Sequence, residues 1–524
     1  MNQTTHRARV PWLRKPPRYI LASILTAMGG FLLGVDTSII GPVTIMPNYV
    51  SYFGSHSSSV HGIIVSSILL SAAVMSVIAG RPADVFGRPQ AIALGAAVFG
   101  VGAALEAGAV RLAMFMVGRV IEGMGFGLYF GTLTVYVCEI SPPNMRGPLT
   151  TGPQFMICTG LVAGYFTCYG TASIQGSMSW RVPFIILVGL SILFVASVLL
   201  YLPPSPRWLY LHGRHAEADA AWETLGVSPE DRQIIEDNLE EGSRVHASDG
   251  ESMTSQSPTR ETEKKEEEAG FFDLFKSDVR GRTTLAVFLM GFLQLSGIDA
   301  VLYYAPLLFQ QAGLETDEAS FLASGVSGIV LVVISVPALL LSDKWGRRTS
   351  TIVGGVGLTL TILLIGTLYA AKAVHPTHGA ARWIVIVCIY LYSVFFASTW
   401  AVSIKVYAPE IQPQRTRAKA TALAHGFNWV CNWFVAFICP ILLSKTESGA
   451  YFLFGGCCAL TTAVCFLFMI ETKGKSLDEI ERAFATKNGS GAGGGGLKMG
   501  RAILRMFHLG KKEVVEERME VLNR

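Results

Sequence analysis

Apolar runs of about twenty residues, separated by short polar stretches, dominate this chain. A helix rises ~1.5 Å per residue, so roughly 20 apolar residues cross a hydrocarbon core about 30 Å thick. Twelve runs meet that requirement: residues 19–42, 60–80, 91–109, 112–138, 150–170, 182–203, 283–311, 320–342, 350–371, 383–408, 417–443 and 450–470. They fall six and six around one long polar insert. The pattern predicts an all-α membrane protein of twelve transmembrane helices in two six-helix bundles, residues 19–203 and 283–470. Residues 1–18, the insert 204–282 and the tail 471–524 are left outside the bilayer. The first run is too long for a signal-peptide core and has no small-residue cleavage site before Asp36, so it is expected to stay as the first span.

The polar segments have their own pattern. The insert reads as helical from His212 to Glu241, with charges three and four residues apart, and turns Ser/Glu/Lys-rich over 243–268. That second part has too little apolar area to fold alone. The tail carries a glycine tract, Gly489 to Gly496, and then a basic amphipathic segment, 497–512. Such a segment either lies on an anionic leaflet or stays solvated.

Composition narrows the function classes. Charged residues make up 15% of the chain, against about 25% in soluble domains, and residues 207–282 hold 28 of the 80. The rest has too few polar groups to cover a surface in water, so lipid must face much of it and a soluble enzyme is excluded. A net charge of +4 with no dense basic patch excludes nucleic acid as partner. The nine cysteines lie mostly in apolar runs without a CxxC pair, and no His cluster has metal spacing; no metal or cofactor is expected. No Gly-x-x-x-x-Gly-Lys-Ser/Thr loop occurs, which argues against an ATP-driven pump. Orientation follows from Lys and Arg in short loops. With both termini in the cytosol, cytosolic short loops hold nine basic residues and outside loops five, and the N-terminus adds Arg7, Arg9, Arg14, Lys15 and Arg18. The sequons at Asn2 and Asn488 then face the cytosol, and no N-glycan is expected.

The two halves repeat a charge pattern. Asp84 precedes Arg88 by four with Gly87 between them, and Asp343 precedes Arg347 by four with Gly346 between them. Glu139 precedes Arg146 by seven, and Glu410 precedes Arg417 by seven. Matching six-helix halves are the mark of parallel repeats about an axis along the membrane normal. Further motifs are Gly118-Arg119 before Gly123, Gly125 and Gly127, then Glu139-x-Ser-Pro-x-x-x-Arg146-Gly147 and Pro203-Pro-Ser-Pro-Arg207-Trp-Leu. Others are Gln294-x-x-Gly297-Ile-Asp299, Tyr303-Tyr304-Ala-Pro306 and Glu471-Thr-Lys-Gly-Lys-Ser476-Leu. Together they make residues 19–485 resemble the sugar-porter branch of the major facilitator superfamily.

The resemblance implies secondary transport of a sugar or polyol with a proton. It implies a cytosolic salt-bridge network, assigned by matching positions to Asp84, Arg88, Glu139 and Arg146, and to Asp343, Arg347, Glu410 and Arg417. Charges at helix ends suit such a latch, because their pairs can break as one bundle rocks. A carboxylate at the depth of Asp36 is costly and usually functional, and the resemblance pairs it with Arg119 as the proton-coupling site. Glu122, three residues after Arg119, can hold the guanidinium away from Asp36 or act as a second titrating site.

For substrate, the resemblance points to Gln154, Gln294, Asn428, Trp429 and Asn432. Sugar hydroxyls need paired donors and acceptors in a dry site, and the spacing of Asn428 and Asn432 puts both amides on one helix face. Interhelical hydrogen bonding is the competing role for each amide. Two positions depart from the family. Asp299 stands where an Asn is usual and Lys405 where a Trp is usual. A lone charge at that depth costs about 2.5–3.5 kcal/mol, so the two either bridge each other or Lys405 meets an anionic substrate. The expected partners are therefore a sugar-like small molecule, protons and lipid, with the chain a monomer in the plasma membrane. An acid or secondary-metabolite carrier, importing or exporting its cargo, and a non-transporting sugar receptor are the alternatives.

Overall fold

The computed structural model describes residues 17–142, 145–233, 271–276, 279–314, 317–341, 345–375, 379–413, 416–473 and 484. Among them twelve helices are long and apolar enough to span a bilayer. They are Arg18–Ile45, Ser58–Ile78, Arg88–Ala107, Leu112–Ile140, Gly147–Ala172 and Met178–Tyr201, followed by Arg280–Tyr303, Ala319–Ala338, Arg347–Ala370, Ala381–Glu410, Lys419–Lys445 and Gly449–Phe468. These are the twelve expected spans, with ends moved by a few residues. Asp343, the stretch 243–268, both sequons and the segment 497–512 lie outside the described residues, as does the side chain of Arg146.

Two spans depart from a plain helix. The seventh run, read as continuous over 283–311, is cut into Arg280–Leu295, Ile298–Tyr303 and Ala305–Gln311. Gly297 between the first two pieces has φ +90°, and a Cβ there would stand 2.6 Å from the Phe454 ring. Only glycine combines that backbone with that clearance. In the tenth span, α-helix over Ala381–Phe395 gives way to a π-helical turn over Phe396–Trp400 and resumes at Ala401–Glu410. The turn delivers Trp400 into the interior, where its Nε1 donates to the Thr351 carbonyl at 2.8 Å.

Contacts group the chain into two compact units. One comprises Met1–Glu261 and Leu302–Val332, the other Thr262–Val301 and Val333–Arg524. In the first unit the spans approach through glycines. A side chain at Gly30 or Gly34 would collide with the carbonyl of Pro153 or Ile157 on the fifth span, and one at Gly123 or Gly127 with that of Ile68 or Ala72 on the second. Small residues at helix crossings let backbones touch where no hydrophobic drive exists between helices. Large apolar side chains such as Val77, Leu193, Leu200, Leu360 and Phe466 point outward, as lipid-facing residues do.

The insert begins as expected in type. Ser205 caps the short helix Pro206–Leu211 by accepting from the Trp208 amide at 3.2 Å. Helix His215–Leu225 follows and ends at Gly226 in the left-handed region. Its Ala218 and Ala221 pack against Trp208 and Leu209. The Trp208 indole donates to the Asp84 carbonyl at 2.8 Å, tying this small helical layer to the end of the second span.

Candidate functional site

In the middle of the first unit the structure gathers four ionisable side chains from three spans. Asp36 comes from the first, Arg119 and Glu122 from the fourth, and Glu106 from the third; each is at most 1% exposed. Arg119 Nη1 donates to Asp36 Oδ1 at 2.5 Å and to Glu122 Oε2 at 3.2 Å. Glu106 Oε2 lies 3.9 Å from the same nitrogen. Nη2 donates to the Val65 carbonyl on the second span at 3.3 Å. The close crossings set this geometry, since Gly123 and Gly127 let the second span reach the fourth.

The cluster is closed by aromatic rings. Tyr49, on the short helix Pro47–Phe53, lies within electrostatic reach of Glu106 and Arg119 and packs edge-on against Phe115 and Trp180. Tyr129, about two turns along from Glu122, donates its hydroxyl to the Gly29 carbonyl at 3.1 Å. Asp36, Arg119 and Glu122 are thus brought together, and Glu122 shares the guanidinium with Asp36 rather than holding it away. Glu106 was not foreseen.

The second unit holds most of the other expected site residues. Asn428 and Asn432 are both buried on one face of the eleventh span. Asn428 donates its amide to the Met290 carbonyl of the seventh span at 2.7 Å, so it fastens two helices. Asn432 Oδ1 is buried without a hydrogen-bond partner. Trp429 and Gln294 are partly buried. Asp299, two residues past the Gly297 break, is buried and its Oδ2 has no hydrogen-bond partner; Lys405 acts on it through its charge. Gln154 is partly buried near the start of the fifth span, in the first unit.

The repeated charge motifs form pairs inside each unit. Arg88 Nε reaches both Glu139 oxygens at 3.0 and 3.2 Å, while Nη1 meets Asp84 at 3.1 Å and the Ala83 carbonyl at 3.0 Å. In the second unit Arg347 Nη2 meets Glu410 at 3.5 Å, and Arg417 donates to the Gln412 carbonyl at 3.1 Å. Glu471 was quoted as motif but given no role. It accepts from the Arg347 and Arg348 amides at 2.7 and 3.1 Å, so a carboxylate sits on the ninth span's first amides, where the helix dipole favours it.

A family model described as "Sugar (and other) transporter" matches residues 22–484. The high-affinity glucose transporter of Kluyveromyces lactis is 29% identical over 481 residues, covering 88% of this chain and 84% of that protein. The high glucose sensor RGT2 of Saccharomyces cerevisiae is 30% identical over 492 residues, covering 90% of this chain and 61% of the sensor. Among solved structures, the major facilitator superfamily proton:xylose symporter XylE, bound to 6-bromo-6-deoxy-D-glucose, matches with a TM-score of 0.69. That alignment covers 89% of this chain and 99% of XylE at 24% identity.

Proposed function

The chain belongs to the sugar (and other) transporter family, and from that premise we propose that it moves a sugar or polyol together with a proton by alternating access. It is a multi-pass membrane protein of the major facilitator fold, and members of its family are transporters rather than enzymes. The observation that carries the coupling is the Asp36–Arg119 pair, held at 2.5 Å and buried from both sides in the middle of the first span. An ion pair at that depth has no lipid-facing or solvent-facing use, and intramembrane carboxylates of this kind mark proton relays. When a proton neutralises Asp36, the attraction that holds the guanidinium falls away and the first and fourth spans are free to adjust.

The sugar is bound by amides and carboxyl oxygens of the second unit; in the first unit the family resemblance adds Gln154 as a candidate. Asn432 and Asp299 carry this reading, because each keeps a buried oxygen that no donor among the described residues satisfies, as a site that waits for hydroxyl donors requires. Trp429 and Gln294 complete the lining, and Asn428 holds it in place. The pairs of Arg88 with Asp84 and Glu139, and of Arg347 with Glu410, fix helix ends that the cytosolic gate uses, with Arg146, Asp343 and Arg417 in the same role. Both termini are cytosolic, the protein works as a monomer, and the plasma membrane is its site of action.

The test is uptake in a hexose-transport-deficient host, using labelled hexoses, pentoses, polyols and sugar acids with and without a protonophore. Protonophore-sensitive accumulation of a neutral sugar is the expected result, and Asp36→Asn is expected to abolish accumulation against a gradient. Unchanged accumulation by Asp36→Asn would sink the coupling. A second reading rests on Lys405, whose charge acts on Asp299: if only an acid accumulates and Lys405→Ala abolishes it, the cargo is anionic. No uptake from protein at the cell surface would point to export or to a receptor.

A further inference from the structure

The proposed coupling uses Asp36 and Arg119 and leaves two carboxyls beside them without a task. Glu106 and Glu122 face each other where the third and fourth spans cross. Glycines make this contact possible: a Cβ at Gly118 would stand 2.7 Å from Glu106 Cγ, and one at Gly102 would collide with the Glu122 backbone. Both glutamates are 0% exposed. Neither oxygen of Glu106, nor Oε1 of Glu122, is satisfied by any N–H or O–H donor among the described residues. Both carboxyls instead face one nitrogen of Arg119, Glu122 Oε2 at 3.2 Å and Glu106 Oε2 at 3.9 Å, and they act on each other as a hydrogen-bonding pair.

Two ionised carboxylates have no donor to offer one another, so a contact of this kind in a buried site holds a proton between them. Charge balance leads to the same place. Three carboxyls surround one guanidinium, at 2.5, 3.2 and 3.9 Å. With all three ionised the cluster would bury two uncompensated negative charges, which is prohibitively costly; one shared proton halves that excess, and the proton taken up at Asp36 cancels the rest. Among the described residues the neighbouring elements supply no second cation. The helix Pro47–Phe53 brings the Tyr49 phenol within electrostatic reach, the fourth span brings the Tyr129 phenol, and the second span brings the Val65 carbonyl.

We propose that Glu106 and Glu122 form a carboxyl pair that shares one proton and becomes the anionic partner of Arg119 whenever Asp36 is protonated. A proton arriving at Asp36 Oδ1 forms an O–H bond there and ends the Arg119–Asp36 ion pair. The guanidinium then keeps Glu122 Oε2, already at 3.2 Å, while the shared proton stays on Glu106 and donates to Glu122. The cluster gains one positive charge in the step, and no other group has to give up a proton. Arg119 is thereby never left as a lone buried cation while Asp36 carries the transported proton. The transport consequence rests on the symport reading; the shared proton does not.

The test is infrared difference spectroscopy, in light and heavy water, on the full-length protein in liposomes at about pH 8, where exposed carboxyls are ionised. A protonated-carboxyl C=O band that shifts on deuteration is expected in the native protein and in Asp36→Asn, and its loss is expected in Glu106→Gln and Glu122→Gln. Its absence from the native protein, or its persistence in both Gln variants, overturns the pair. Should either Gln variant fail to reach the membrane, Glu106→Asp keeps a carboxyl and is expected to keep a band at altered frequency; an unaltered band overturns the pair as well. In sugar counterflow, adding Glu122→Gln to Asp36→Asn is expected to cost about tenfold more than adding it to the native protein, because only the first background relies on the pair; equal losses in the two backgrounds overturn the partner switch. If accumulation ignores the protonophore, the symport reading fails and the band still decides the pair. If accumulation is proton-driven and the band is missing, the pair fails alone.

Discussion

In the first unit, Arg119 is shared by Asp36, Glu106 and Glu122 in a cluster closed by Tyr49 and Tyr129. In the second, Asp299 keeps a buried oxygen without a hydrogen-bond partner, with the charge of Lys405 acting on it. The first arrangement is interlocked, so each member is held by the others and removing one strands the rest. Oxygens of Glu106 and Glu122 also lack a donor among the described residues, but they belong to the cluster; in the second unit the spare acceptor belongs to Asp299, outside such a cluster. Interlocked buried charge suits a step that must be the same in every cycle, and spare capacity suits recognition, where a ligand supplies the missing partner. On the proposed symport reading, coupling and recognition thus fall on units with different electrostatic construction.

The largest test of this contrast is to remove one cation from each unit. Arg119→Met leaves three buried carboxyls without a counter-charge. Stranding a buried charge costs about 3–5 kcal/mol, so the monodisperse peak of the detergent-purified protein is expected to disappear in size-exclusion chromatography. Lys405→Met strands one carboxyl that can take a proton, and the protein is expected to remain monodisperse with a melting temperature lowered by about 2–4 °C per kcal/mol lost. Equal behaviour of the two variants would erase the distinction.

A smaller effect is expected at the repeated helix-end motif. Arg88 is buried against four acceptor atoms, and charged hydrogen bonds are worth roughly 1.5–3 kcal/mol. Arg347 meets Glu410 at 3.5 Å with both partly exposed, the regime of about 0–1 kcal/mol. Arg88→Ala is therefore expected to lower thermal stability more than Arg347→Ala does, read by differential scanning fluorimetry. The reverse order would mean that the motif is tightened in the second unit.

The finest comparison lies within the eleventh span. Asn428→Ala removes the donor to the Met290 carbonyl and leaves that oxygen buried, costing about 1–3 kcal/mol. Asn432→Ala removes an amide whose oxygen has no protein partner. Its stability is expected to stay within about 1 kcal/mol of the native protein, with the loss appearing as a raised KM for sugar. A destabilised Asn432→Ala with unchanged KM would make both amides structural.

The twelve spans were legible because a bilayer demands about twenty apolar residues and tolerates little else. Asp36 and Arg119 were legible for the same reason: a charge far from either end of an apolar run has to be accounted for. Glu106 was not, since it stands near the end of its run and reads as a residue leaving the membrane. Its burial comes from the crossing with the fourth span, which hydropathy does not encode. A usable signal was present, because Glu106 and Glu122 each follow a glycine, Gly102 and Gly118, by four residues. That puts glycine and carboxyl on one helix face, where a close crossing presses them against the neighbouring span. The break at Gly297 and the π turn in the tenth span were equally hidden, because mean hydropathy stays high through both although Ser296, Asp299, Ser398 and Thr399 interrupt the apolar residues.

The π turn at Phe396–Trp400 has a consequence for the facing of Lys405. A π turn holds one residue more than the α-helical turn it replaces, so the span takes up an extra residue without breaking. Every side chain beyond it is rotated by about 100° from where uninterrupted helical counting would place it. The face presented by the cation acting on Asp299 is thus set by residues 396–400 as well as by the side chain at position 405. Deleting one residue between 396 and 400 is expected to rotate Lys405 away and bring a neighbouring position to its face, so the charge beside Asp299 is open to change by deletion as well as by substitution.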